Sequence, residues 1–260
     1  MPEQKDKFEG RTLIRTLTLP SRGLLYGDQV PNGQVRVAAF TTREEKVFAG
    51  AGEGSDQKID IILRNCVDSG SLPPDELLVG DSLFCLFWVR QLSYGPTYGF
   101  QVSCGDCRRK FHKDITLPDS LTLTQAPDDY REPIRLTLPV RQDALELRLF
   151  RRKDETEIAQ EVAKLVRDHA QVGDPTYFLR LGRHIVSVNG EAFGSPLRAS
   201  EYVQKLEGPD SLALRNAIDL NGYGYELDLE IRCPLCGSDN DQTLPISAEF
   251  FRPRPRRRSG

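Results

Sequence analysis

Apolar and polar residues alternate with a period of two in some stretches and recur with the helical period in others, which predicts an α+β chain. Arg11 to Leu19 alternates, with Leu13, Leu17 and Leu19 on one face, and reads as a strand ended by Pro20. A glycine-punctuated loop, Pro20 to Asp28, and a turn at Pro31 to Gly33 lead into a second strand, Gln34 to Phe40. Thr42 and Glu45 have capping-box spacing, in which hydroxyl and carboxylate each satisfy the other's backbone N–H. A helix is therefore expected from Thr42 to the glycine cluster Gly50, Gly52 and Gly54. Asp56 to Val67 is a second amphipathic helix, and Pro73-Pro74-Asp75 opens a third that contains the apolar run Leu83 to Val89. A hairpin follows, returning through Lys110 to Leu117.

The second half repeats this plan. Ile134 to Leu138 and Leu145 to Phe150 read as strands. Asp154 and Glu157 form another capping box, and Ile158, Val162, Leu165, Val166 and His169 mark one helical face. A short helix comes after Gly173-Asp-Pro175, then a strand at Ile185 to Val188 that turns at Asn189-Gly190. Further helices start at Ser195-Pro196 and at Gly208-Pro209-Asp210, and a last hairpin follows. Residues 81–107 shifted by 129 positions fall on 210–236 without a gap, with 7 identities in 27. Among these are Asp81-Ser-Leu83 with Asp210-Ser-Leu212, Tyr94-Gly95 with Tyr223-Gly224, and two cysteines with two cysteines. The expected architecture is two related copies of a strand-hairpin/helix unit, residues 1–127 and 128–251, with an Arg/Pro-rich tail at 252–260.

The cysteines set the candidate chemistry. Four of six lie in two Cys-x-x-Cys pairs, Cys104 with Cys107 and Cys233 with Cys236, each at the tip of a predicted hairpin. Thiols so spaced in a tight turn present both sulfurs to one point, and two such turns complete the tetrahedral thiolate shell of a closed structural zinc site. The reading is one shared, zinc-ribbon-like four-cysteine site holding structural Zn2+ and stapling the two units. A thioredoxin-like dithiol needs its pair at the start of a helix, whereas both pairs here interrupt hairpins. Two separate sites would each need two more ligands; His112 offers one to the first pair, and the second pair has no histidine nearby. Cys66 and Cys85 read as small buried hydrophobes.

Composition narrows the function. Hydrophobic residues make up 38% and charged ones 28% of 260 residues, an ordinary globular balance. The longest fully apolar run is far short of the ~20 residues of a spanning helix, so no membrane role is expected. The N-terminal residues lack the apolar core of a signal peptide. Ligand-paired cysteines suit a reducing cytosol. No serine sits in a nucleophile elbow, His112, His169 and His184 have no catalytic spacing, and Gly50 to Gly54 lacks the Lys-Ser/Thr ending of a phosphate loop. No enzyme is predicted. Trp88, Phe84 and Phe87 read as core.

A zinc-ribbon nucleic-acid-binding protein is the alternative. Arg108, Arg109, Lys110 and Lys113 follow the first pair, but a net charge of −3 and Asp239 and Asp241 beside the second pair argue against nucleic acid as a partner. The terminal stretch is unusual in carrying five arginines in seven residues, Arg252 to Arg258; it reads as a solvated tail, or alternatively as an arm for an acidic partner surface or a nucleic-acid backbone.

Leu19 to Asp28, Thr41 to Glu45, Leu78 to Asp81, Leu92 to Gly95, Cys233 to Gly237, Leu244-Pro-Ile246 and Phe250 to Pro253, taken in order with the paired cysteines, carry a likeness to a known family. Together they resemble the baseplate hub assembly proteins of contractile-tailed, T-even-like phages, over about residues 11–253. The first pair departs from the Cys-Pro-x-Cys form, and the arginine tail is additional. The resemblance implies a non-enzymatic protein of the bacteriophage tail, a chaperone of hub assembly or a minor virion component. Its partners would be other baseplate, hub and tail proteins, met in the host cytoplasm during assembly. The loop Ser21 to Gly27 and the segment from Phe250 are the expected contact surfaces.

Overall fold

The alternating stretch near the N-terminus forms β1 (Ile14–Thr18), antiparallel to β2 (Gln34–Ala38), with buried Leu17 directly opposite buried Val35. The computed structural model describes residues 6–49, 55–168, 175–246 and 248–251. Helices α1 (Thr42–Ala49) and α2 (Ser55–Cys66) follow, and β3 (Val67–Asp68) returns to pair with β2, giving a sheet of order β1-β2-β3. The segment Pro74–Glu76 is a single 3-10 turn, and α3 runs over Val79–Tyr94. The expected start at Pro73 is thus too early. Leu77 and Leu78 are drawn into the core, and the Leu77 carbonyl accepts from Arg152 N at 2.7 Å, which keeps this backbone extended. Strands β4 (Thr97–Ser103) and β5 (Lys110–Thr116) make the first cysteine hairpin, and β6 (Leu123–Thr124) follows.

In the second half β7 (Ile134–Thr137) pairs with β8 (Ala144–Leu147), and then come α4 (Arg152–Asp168) and α5 (Thr176–His184). Strand β9 (Ile185–Val188) returns to β8, and β10 (Glu191–Ala192) completes a sheet of order β10-β9-β8-β7. Helix α6 (Pro196–Gln204) is capped by Ser195, whose hydroxyl accepts from Arg198 N at 3.4 Å, and α7 (Gly208–Leu220) follows. Strand β11 (Gly224–Tyr225) pairs back to β6, and β12 (Asp228–Arg232) with β13 (Asp239–Thr243) forms the second cysteine hairpin before the short α8 (Ala248–Phe251). The chain is α+β, and the order strand, strand, helix, helix, strand, helix, hairpin occurs in both halves, with β10, α6 and β11 added in the second.

Both capping boxes sit earlier than the sequence pattern suggests. Thr41 N and its hydroxyl donate to Glu44 Oε2 at 2.8 and 2.7 Å, while Thr41 Oγ1 accepts from Arg43 N at 3.3 Å. Glu44 takes this place because it is buried beside Arg11 and Asn65, whereas Glu45 turns outward to Tyr94. In the second half Arg151 N donates to Asp154 at 2.8 Å, and the buried carboxylate also receives Arg148 at 2.6 and 2.7 Å and Arg183 at 3.0 Å. Asp154 is therefore the third helical residue rather than the cap.

The main core gathers Val35, Val37, Ile62, Leu63, Phe87 and Val102 from the first half with Ile231, Leu244, Phe250 and Phe251 from the end of the chain. A second cluster, Leu138, Leu145, Leu147, Ile185, Val203 and Leu214, lies within the second half. Phe84, Phe87 and Trp88 belong to the main core as expected, with Trp88 half-buried and Arg15 stacked 4.2 Å over its ring. No helix among the described residues is long and apolar enough to cross a membrane.

Candidate metal centre

Each cysteine pair sits in a tight turn closing a two-stranded hairpin, and the two turns have matching hydrogen bonds. In the first, Cys104 N donates to Arg109 O at 3.0 Å and Arg108 N to Cys104 O at 3.1 Å. In the second, Cys233 N donates to Ser238 O at 2.8 Å and Gly237 N to Cys233 O at 2.9 Å. Residues at the same place in each turn, Arg108 (φ 56°) and Gly237 (φ 82°), adopt the left-handed conformation that reverses the chain after the second cysteine. Glycine does this without steric cost; Arg108 holds it as a single strained residue.

The hairpins meet tip to tip. The ligand sulfurs of Cys104, Cys107, Cys233 and Cys236 all lie within 4.8 Å of one another. Across the hairpins, Cys104 Sγ is 3.6 Å from Cys236 Sγ and Cys107 Sγ is 3.9 Å from Cys233 Sγ. Tetrahedral zinc with Zn–S of ~2.3 Å requires sulfurs ~3.8 Å apart, so the donor set and its spacing fit that ion. None of the cysteines is in a disulfide. Two polar contacts also bridge the tips: Gly105 N donates to Asn240 Oδ1 at 2.8 Å, and Arg109 donates to Leu235 O at 3.2 Å.

The four ligands are not equivalent. Cys104 and Cys233 are buried, Cys107 is half-buried and Cys236 is exposed. The Ser238 hydroxyl lies 3.3 Å from Cys104 Sγ and 3.1 Å from Cys236 Sγ. That hydrogen bond, with backbone N–H groups of the turn, brings the Cys104 thiol down to about 6. The Ser238 contact likewise lowers Cys236, whereas burial pushes Cys233 up. The thiolate form that a metal needs is thus favoured on the Cys104–Cys236 side. Ser238 and Asn240 are not marked by the ligand spacing of the sequence. The available signal is a hydroxyl two residues beyond Cys236, where a knuckle turn can direct it back to sulfur.

The remaining candidates lie elsewhere. His112 is exposed on β5 with Nε2 3.2 Å from Asp114 Oδ1, outside the sulfur cluster. His184 is half-buried, stacked on Phe150 at 4.0 Å, and bonded through Nδ1 to Arg148 O at 2.8 Å. Cys66 and Cys85 are fully buried, and burial pushes the Cys66 thiol up to about 11. His169, the glycines at 50, 52 and 54, and the tail from Arg252 lie outside the described residues.

Both expected contact surfaces need correction. In the loop Ser21 to Gly27, Ser21, Gly23 and Tyr26 are buried, because Asp81 accepts from Ser21 N at 2.9 Å and from Tyr26 Oη at 2.5 Å. Arg22, Leu24 and Gly27 keep the exposed side. Phe250 and Phe251 are core residues rather than the start of a free arm. Arg108, Arg109, Lys110 and Lys113 are exposed beside the centre, but so are Asp106, Asp239 and Asp241.

The fold and the site define an α+β scaffold with a four-thiol cluster where two hairpins meet. Residues 16–174 match the family described as T4 bacteriophage base plate protein, and the chain belongs to that family. The match includes the first cysteine hairpin and ends before the second. No curated protein and no solved structure matches the chain.

Proposed function

We propose that the protein acts without catalysis in the contractile-tail baseplate, as an assembly factor of the hub or a minor resident part of it. Family membership over residues 16–174 is the observation that carries this reading. Its partners are other baseplate, hub and tail proteins, met in the host cytoplasm, and the tail from Arg252 is an arm for an acidic surface among them. Affinity capture from infected cells, paired with mass spectrometry of purified tails, tests it. Recovery of hub proteins together with absence from finished tails supports the chaperone, and presence in tails the resident part. Recovery of no tail protein in either experiment contradicts the reading.

We further propose one structural zinc held by Cys104, Cys107, Cys233 and Cys236, joining two units, residues 1–127 and 128–251, that arose by duplication. Three likenesses support the duplication. Leu17-Thr-Leu-Pro20 and Leu136-Thr-Leu-Pro139 end the first strand of each half. Buried Asp81 and Asp210, 129 positions apart, each accept from the backbone just beyond that proline. The two cysteine turns share one hydrogen-bond pattern. The nucleic-acid reading draws on Arg108, Arg109, Lys110 and Lys113, but the exposed carboxylates of Asp106, Asp239 and Asp241 beside the same centre oppose phosphate binding. A salt-dependent gel shift with DNA and RNA is expected to show no complex.

A further inference from the structure

The two hairpins contribute unequally around the sulfur cluster. At the position following the left-handed residue, the first turn has Arg109 and the second has Ser238. The Ser238 hydroxyl lies within hydrogen-bond reach of one sulfur from each hairpin, Cys104 at 3.3 Å and Cys236 at 3.1 Å. Cys236 is the exposed residue of the four, and Leu235 beside it at the turn's tip is 46% exposed. An attacking chelator or alkylating reagent therefore meets Cys236 first, while Cys104 and Cys233 are shielded by the hairpins.

We propose that Ser238 is a positioning residue that governs metal retention, and that Cys236 is the edge through which metal enters and leaves. This rests on the zinc reading. A hydroxyl donating to a metal-bound thiolate lowers the sulfur's tendency to take up a proton or electrophile, and it holds the side chain in its ligating rotamer. Because the same hydroxyl touches Cys104, it couples the exposed ligand of one hairpin to a buried ligand of the other. The remaining bridges, Gly105 to Asn240 and Arg109 to Leu235, use no sulfur and keep the tips together while Cys236 exchanges.

The test is transfer of zinc from the loaded, full-length protein to a chromogenic chelator, for the wild type, Ser238→Ala and Ser238→Thr. Ser238→Ala is expected to release zinc about tenfold faster, the size of one charge-assisted hydrogen bond. Ser238→Thr, which keeps the hydroxyl, should stay near the wild-type rate. Peptide mapping after brief alkylation of the loaded protein should find Cys236 modified first, and more quickly in Ser238→Ala. Equal melting temperatures of the metal-free proteins separate this effect from a general loss of structure. Equal release rates in all three proteins, or first modification at another cysteine, overturn the proposal. A wild-type protein that takes up no zinc under reducing conditions overturns the zinc reading itself, a different outcome from zinc that binds and leaves at an unchanged rate.

Discussion

Asp81 and Asp210 each fix a turn from a buried position at the start of a helix. Asp81 accepts from Ser21 N and Tyr26 Oη, and Asp210 accepts from Val140 N at 2.8 Å and Arg141 N at 3.1 Å. Removing the Asp81 carboxylate leaves two donors without partners in a buried site, and such a loss costs about 1–3 kcal/mol per group; the donors facing Asp210 belong to exposed Val140 and Arg141, where water takes over part of the loss. Asp81→Ala is expected to lower the unfolding free energy by about 2–4 kcal/mol in urea titrations, and Asp210→Ala by about 1–2 kcal/mol. A change below about 1 kcal/mol would show that these turns hold without their aspartates. His184 supplies a pH signature. Burial lowers its pKa from 6.5 to about 4, so the folded state keeps the ring neutral while the unfolded chain takes up a proton. The sign follows: this contribution is complete above pH ~6.5 and is lost as pH falls toward ~4, to an extent of about 3 kcal/mol. Urea midpoints measured from pH 7 to 4 should fall for the wild type, and less steeply for His184→Gln.

Among the elements, the cysteine hairpins and most strands were legible from residue pattern alone, because alternation and paired thiols are local signals. The helix starts were less so. Thr41 and Thr42 offer two registers for one capping box, and the choice between Glu44 and Glu45 is made by Arg11 and Asn65, which are distant in sequence. Asp154 is drawn inward in the same way by Arg148 and Arg183. The contact between α3 and β11 shows how closely elements from the two halves pack. A Cβ on Gly80 would lie 2.0 Å from the Tyr223 carbonyl oxygen, whereas one on Gly208, at the start of α7, would meet nothing within 4 Å. Gly80→Ala must therefore separate α3 from β11 and is expected to cost at least about 3 kcal/mol, as severe overpacking does. Gly208→Ala should be neutral within about 0.5 kcal/mol. Equal melting temperatures for the two variants would contradict the close packing.

For the molecule as a whole, the end of the chain completes the core of its beginning. Phe250 packs edge-on against Phe87 and Tyr98, with ring centroids 5.1 Å away in both cases, and Phe251 lies beside Phe40. This was not legible in the sequence, where Phe250 and Phe251 stand next to an arginine-rich run and look like the root of a tail. Only the long-range return of β12 and β13 brings them to α3. Phe250→Ala is expected to cost about 3–5 kcal/mol, the range for a fully buried aromatic, and thermal unfolding will measure it. The same return brings the second pair of thiols to the first across 129 positions. Paired spacing made that meeting readable, whereas the Ser238 hydroxyl between the sulfurs depended on a turn geometry that spacing does not encode.

The most direct measurement is the metal content of the folded chain by native mass spectrometry, for the wild type, Cys104→Ser and Cys233→Ser. One zinc per wild-type chain, lost from both variants although the substitutions lie in different hairpins, is the result expected of a single shared centre. Two metals per chain, none, or zinc kept by either variant would contradict it.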